Sequence, residues 1–314
     1  MQIFQHTLTR TVSCTGIGLH SGRKVNLSLR PADPDTGVLF KRSDLPGAPL
    51  IPADVHHVVD TRFSTTIGVE GLTISTVEHL LSALAGSGVD NAIVEVDAPE
   101  LPIMDGSAAP FVFLLKNAGL TSQARPRQFY RVKRSVSLSE EDGKSVSVSP
   151  GEGLSVDFTI DFAHPAIRTQ RLGFDLDDKA YAREISRART FGFLSDMRRL
   201  HQANLALGGS LDNAVVLDSH RVLNDDGLRF PDEFVRHKVL DFLGDLALVG
   251  RPIQGRFVAR KSGHDLNNKL FKKLLADPSA WQLVTPSQEE PAPAAVSVAP
   301  ARPANGRVGQ VSAA

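Results

Sequence analysis

Cysteine is almost absent: Cys14 is the only one in the 314 residues. That excludes an intramolecular disulfide and any zinc module built on clustered thiolates. Long apolar runs are missing too. No uncharged stretch approaches the roughly 20 residues needed to cross a bilayer, so no stable membrane insertion is expected. The opening stretch, Met1 to Arg10, has neither a basic start nor an apolar core. It does not read as a secretory signal, and a cytoplasmic location is expected. Net charge is missing as well, with 35 Lys plus Arg against 35 Asp plus Glu. Without a bulk positive field, no nucleic-acid partner is expected. What remains is ordinary for a globular chain: 41% apolar and 22% charged residues, in a length that suits two domains.

The periodicities point to an α+β chain. Lys24 to Arg30 alternates polar and apolar, the period of a half-buried strand. Strands are also expected at Val38–Lys41, Val58–Ile67, Leu72–Ile74 and Asp90–Asp97. The segment from Ser75 or Thr76 to Gly86 has helical spacing of Val77, Leu80, Leu81 and Leu84, with Ser75 or Thr76 as N-cap. A tight loop at 101–111 leads into a helix ending near Ala118. The polar segment Thr121–Arg127 has no apolar period and reads as the link between two domains, 1–125 and 126–285. Beyond it, strands are expected near Tyr130–Val132, Ser145–Val148, Leu154–Ile160, Asn213–Asp218 and Gly255–Arg260. Helices are expected at Met197–Leu205, around Arg236–Asp245 and at Asn267–Ala276. The Pro- and Ala-rich tail, 286–314, has the composition of a disordered segment. The string Asp90-Asn91-Ala92, after a glycine turn, recurs as Asp212-Asn213-Ala214, as two copies of one α+β unit would leave it.

The chemistry concentrates in two places. His237, Asp241 and Asp245 stand four residues apart and share one face of a helix of about 3.6 residues per turn. With Val239, Leu240, Phe242 and Leu243 on the other faces, that stripe is buried. It is either a core histidine satisfied by aspartates or half of a metal site. Glu78-His79 is either a solvated surface pair or the missing half. Together, His79, His237 and Asp241 make the two-His, one-Asp set of a catalytic zinc centre with an open fourth position. Glu78, next to a ligand, can reach the water without binding the metal, as a general base must. Asp245 lies too far along to share the metal, but can orient His264 of the Ser262-Gly263-His264 loop and stabilise its imidazolium.

Five motifs now stand in order: Ser75-Thr-Val-Glu-His-Leu80, Pro102-Ile-Met-Asp-Gly-Ser-Ala-Ala-Pro-Phe111, Ala188-Arg-Thr-Phe-Gly-Phe193, Arg236-His-Lys-x2-Asp-x2-Gly-Asp245 and Lys261-Ser-Gly-His-x-Leu-Asn-Asn268. From about residue 2 to about residue 285 the chain resembles the UDP-3-O-acyl-N-acetylglucosamine deacetylases, the zinc hydrolases of lipid A biosynthesis. The resemblance implies two similar α+β domains, each a sheet layer on two helices, with the helices sandwiched between the sheets. It implies one Zn2+ on His79, His237 and Asp241, with Glu78 as base, His264 held by Asp245 as acid, and Thr190 at the oxyanion. The substrate would be a UDP-linked acylated glucosamine, handled by a monomer. Lys238 and Lys261 would face the diphosphate, Phe162 the uracil, and Phe191 and Phe193 the sugar or the apolar passage. His20 falls in a family loop near the active site. The alternatives are a zinc amidase for another acylated amino sugar, or a non-catalytic small-molecule binding module with its His and Asp residues in core salt bridges.

Overall fold

The computed structural model describes residues 3–286, so the expected disordered tail lies outside the described residues apart from Pro286. The chain is α+β. Six α-helices occur among the described residues: α1 (Glu78–Gly86), α2 (Ala109–Ala118), α3 (Asp178–Ala180), α4 (Leu194–Gln202), α5 (Glu233–Ala247) and α6 (His264–Leu275).

The first half is built on Ala92–Val96. Lys24–Pro31 runs antiparallel on one side of it and carries Val12–Ile17 at the edge; Val38–Arg42 runs parallel on the other and carries Ile51–Pro52. Alternation does the sorting: Val25, Leu27 and Leu29 of Lys24–Pro31 are buried, while Lys24 and Asn26 point outward. The second half repeats this order and these directions on Ile253–Arg260. Ser145–Ser149 and then Val136–Ser139 follow antiparallel on one side; Leu154–Phe162 follows parallel on the other, with Arg168–Asp175 beyond it. In each half one helix precedes the central strand and one follows it, α1 and α2 in the first, α5 and α6 in the second.

The duplication is therefore real, yet the Asp-Asn-Ala echo does not mark it. Asn91 leads into the central strand of the first half, whereas Asn213 leads towards Val215–Leu217, which pairs with Phe191–Phe193 in an insertion. The shared residue answers a shared local need. Each side-chain oxygen accepts a loop N–H, from Gly37 for Asn91 and from Ser210 for Asn213.

Both halves are interrupted at the same point, between the outermost strand on the parallel side (Ile51–Pro52, Arg168–Asp175) and the helix that precedes the central strand (α1, α5). In the first half the interruption is a small sheet, Val58–Asp60, Thr66–Val69 and Leu72–Ile74. The single strand expected over Val58–Ile67 is thus broken, by a turn in which Phe63 adopts φ 66°. In the second half it holds α3, Phe191–Phe193, α4 and Val215–Leu217. The polar segment expected as a link is largely a strand, Leu120–Pro126, paired with Phe4–Leu8. It lacks an apolar period because nearly all of its residues are exposed.

Helices α1 and α5 pack on each other at the centre, with α5 and α6 also lying on the second sheet. Leu80, Leu81, Leu84, Leu240 and Phe242 are all at most 1% exposed, and such side chains contribute roughly 1.5–3 kcal/mol each on burial. The two helices meet backbone to backbone. A Cβ on Gly244 would lie 2.0 Å from the carbonyl oxygen of Glu78, so this position admits only glycine without a shift of one helix. Among the described residues no helix is long and apolar enough to cross a membrane.

Candidate metal centre and active site

The close approach at Gly244 brings the first turn of α1, with Glu78 and His79, against the middle of α5. The expected N-cap is not what starts α1: no side chain caps it, and Thr76 turns the chain at φ 58° just before it. His79 Nε2 lies 3.6 Å from Asp241 Oδ1, and His237 Nε2 lies 3.3 Å from the same oxygen. The two imidazoles stand edge to face at 87°. Donors about 2.0–2.1 Å from a tetrahedral centre are about 3.3 Å apart, so these spacings suit a metal ion held between them. The three donor atoms lie within 4.8 Å of one another, and all three residues are buried.

Protonation states agree with that use. The His237 Nδ1–H donates to the Ala188 carbonyl at 3.1 Å, which turns the Nε2 lone pair towards Asp241. Burial, outweighing the pull of Asp241, takes His237 down to about 3, so its imidazole is neutral, the form that a metal ion would need. Burial alone would push Asp241 up; the positive charge beside it, from His237 when that ring is protonated and from the Lys238 ammonium, outweighs it and holds the carboxyl well below the usual range. Lys238 Nζ sits 2.6 Å from Asp241 Oδ2, leaving Oδ1 for the cluster.

Glu78 is 3% exposed, and burial pushes its carboxyl above the ordinary glutamate value, with Asp241 and Asp245 adding to that against His264 and His79. A raised carboxyl is a stronger base once ionised. Asp245 turns away from the His79, His237 and Asp241 cluster: its Oδ2 is 2.8 Å from His264 Nδ1 and accepts from Asn267 Nδ2 at 2.9 Å. Burial works against the imidazolium of His264, yet Asp245 carries it up to about 9. His264 is the first residue of α6, not part of a preceding loop. A helix N-terminus disfavours a cation, so Asp245 overcomes the helix dipole as well as burial.

Glu78, His79, His237, Asp241 and His264 line a cleft of about 220 Å³, together with His20, Phe162, Thr190, Phe191 and Lys238. Thr190 is fixed from the first half, its N–H donating to the Gly106 carbonyl at 2.8 Å. Phe162 packs against Phe191 at 5.7 Å and Phe193 at 6.1 Å, so Phe193 stands behind Phe162 rather than in the cleft lining. Asp245 stands behind His264. Lys261 is outside the lining, its Nζ 3.5 Å from the Asp142 carbonyl. Both ring nitrogens of His20 are buried without a hydrogen-bond partner. Its loop is held by Glu100, which accepts the N–H groups of His20 and Ser21 at 2.7 and 2.9 Å.

Sequence reasoning missed Leu19, Phe63, Thr76 and Ile103 in the lining, and Thr65 and Asn267 behind it. Thr76, Ile103 and Asn267 lie within three of the five motifs without a role of their own. The others are uncharged residues in irregular segments, which carry no signal of periodicity or charge.

A model of the family described as UDP-3-O-acyl N-acetylglycosamine deacetylase matches residues 5–276. Among curated proteins, a UDP-3-O-acyl-N-acetylglucosamine deacetylase of Coxiella burnetii (strain CbuK_Q154) is 54% identical over 285 residues, covering 90% of this chain and 94% of its own. One from Shewanella sp. (strain W3-18-1) is 52% identical over 299 residues, covering 94% and 97%. One from Vibrio parahaemolyticus (serotype O3:K6, strain RIMD 2210633) is 54% identical over 296 residues, covering 93% and 97%.

Proposed function

The chain belongs to the UDP-3-O-acyl N-acetylglycosamine deacetylase family, and from that premise we propose that it removes the N-acetyl group of UDP-3-O-(3-hydroxyacyl)-N-acetylglucosamine as acetate, in lipid A biosynthesis. The observation that carries this reading is the meeting of Glu78-His79 with His237 and Asp241, residues from opposite halves of the chain, at metal-binding separation. Because one chain supplies both halves of the site, a monomer suffices. The proposed location is the cytoplasm.

A Zn2+ held by His79, His237 and Asp241 would lower the pKa of the nucleophilic water and polarise the acetamide carbonyl. Glu78 takes one proton from that water as its oxygen adds to the carbonyl carbon. The Thr190 hydroxyl donates to the oxygen that gains charge. As the C–N bond breaks, the imidazolium of His264 gives a proton to the leaving amine nitrogen, and Asp245 stabilises that imidazolium beforehand. Glucosamine amine and acetate result. Lys238 is assigned to the substrate diphosphate, Phe162 to the uracil, and Phe191, with Phe193 packed behind Phe162, to the sugar or the apolar passage. The diphosphate role of Lys261 rests on its motif alone, and a substrate contact of His20 on its unpartnered ring.

Acetate release from the UDP-sugar, set beside the same acylated sugar without UDP, tests the substrate; zinc content per chain tests the cofactor. The expected result is one zinc per chain and a strong preference for the UDP form. Equal rates on the two sugars would sink the substrate assignment, and a metal-free yet active enzyme would sink the cofactor.

A further inference from the structure

Thr65 is 1% exposed and lies between the turn at Phe63 and the strand Thr66–Val69. Each of its polar groups is committed, and together they span both halves of the site. Its carbonyl accepts the Val77 N–H at 3.3 Å, just ahead of α1. Its N–H donates to Glu78 Oε2 at 3.0 Å, and its hydroxyl donates to Asp245 Oδ1 at 2.6 Å. Asp245 Oδ2 is already taken by His264 Nδ1 at 2.8 Å and Asn267 Nδ2, and the same His264 nitrogen lies at a longer 3.1 Å from Oδ1. The Thr65 hydroxyl therefore fixes the second oxygen and stops the carboxylate from rotating.

Resting on the roles given above to Glu78 and His264, we propose that Thr65 is a positioning residue that holds the base and the acid pair in register. Those two groups sit on different helices, α1 for Glu78 and α6 for His264, with Asp245 on α5. One small buried residue that grips both carboxylates sets the separation at which a proton is taken from water and another given to the amine. Misplacement by about 1 Å can cost on the order of 100-fold in rate.

Thr65→Val keeps the shape and removes the hydroxyl. The expected kcat falls about 10- to 100-fold, with KM changed by less than about twofold and zinc content unaltered. Thr65→Ser restores kcat to within about threefold of wild type. In an Asp245→Asn background, Thr65→Val costs less than about twofold more, since its partner is already altered. Should Thr65→Val fail to fold, Thr65→Ala carries the same comparison. Wild-type kcat in the hydroxyl-free variant, a Thr65→Ser enzyme as slow as it, or full additivity with Asp245→Asn overturns the assignment. Glu78→Gln and His264→Gln are assayed beside them. If those two are slow while Thr65→Val is not, the Thr65 assignment alone falls; if those two are fast, the roles on which it rests fall.

Discussion

At the scale of single residues, the site separates jobs by what each group touches. Glu78 adjoins His79 but lies outside the His79, His237 and Asp241 cluster. Glu78→Gln keeps the shape and removes the base, so kcat should fall about 100-fold or more with bound zinc unchanged. Metal analysis alongside turnover checks both at once, and normal turnover with metal in place would unseat Glu78 as base. His264 gives a second expectation. Burial disfavours its cation, but Asp245 raises it to about 9, so the acid is present at neutral pH and lost as pH climbs through that value. The negative charge of Asp245 is what stabilises the imidazolium. Removing it in Asp245→Asn lowers the pKa and moves the alkaline limb of kcat/KM to lower pH. An alkaline limb at the same pH in both enzymes would mean that another group sets it. The cluster of His79, His237 and Asp241, with Glu78 beside it, was legible in the sequence because charge in an apolar helix is costly without a partner. Thr65 was not, because a threonine in a loop is unremarkable until Asp245 is seen 2.6 Å from its hydroxyl.

Among the elements, α5 was the most legible. Its every-fourth-residue polar stripe survives burial of the rest, and the structure keeps His237, Asp241 and Asp245 on one face. The start of α6 was read three residues late, because Gly263 and an uncapped His264 imitate a loop. The turn at Phe63 broke what looked like one β-rich run, since side-chain pattern does not report a positive φ. The sequence motif around Gly244 had a hidden physical reason, the contact with the backbone of Glu78. Gly244→Ala places a methyl 2.0 Å from that carbonyl oxygen and must push α5 off α1. The expected cost is about 1–3 kcal/mol from overpacking. Zinc affinity should weaken in the same variant, because His79 moves away from His237 and Asp241. Calorimetry and metal titration read the two effects, and a melting temperature and affinity equal to wild type would show that the helices can slide apart freely.

For the whole molecule, duplication puts the site where the two copies face each other. The first copy contributes Glu78 and His79, the second His237, Asp241 and His264, and each insertion adds wall, Phe63 from one and Phe191 from the other. The sequence disclosed two halves but not the strand equivalence, since the repeat survives in strand order and direction rather than in residues. A metal ion held at this meeting point would do more than chemistry: it would tie α1 to α5, and its binding energy would add to the stability of the whole fold. At a free zinc concentration 100 times the dissociation constant the gain is about 2.7 kcal/mol. Wild-type protein stripped by a chelator should therefore melt several degrees lower than the same protein with zinc restored. Asp241→Ala should start lower, because it leaves the half-buried Lys238 ammonium without the carboxylate 2.6 Å away, and should gain little when zinc is added. The comparison is the zinc response within each protein, not the absolute melting temperature. An equal rise in both would mean that zinc stabilises the chain somewhere other than between its two halves.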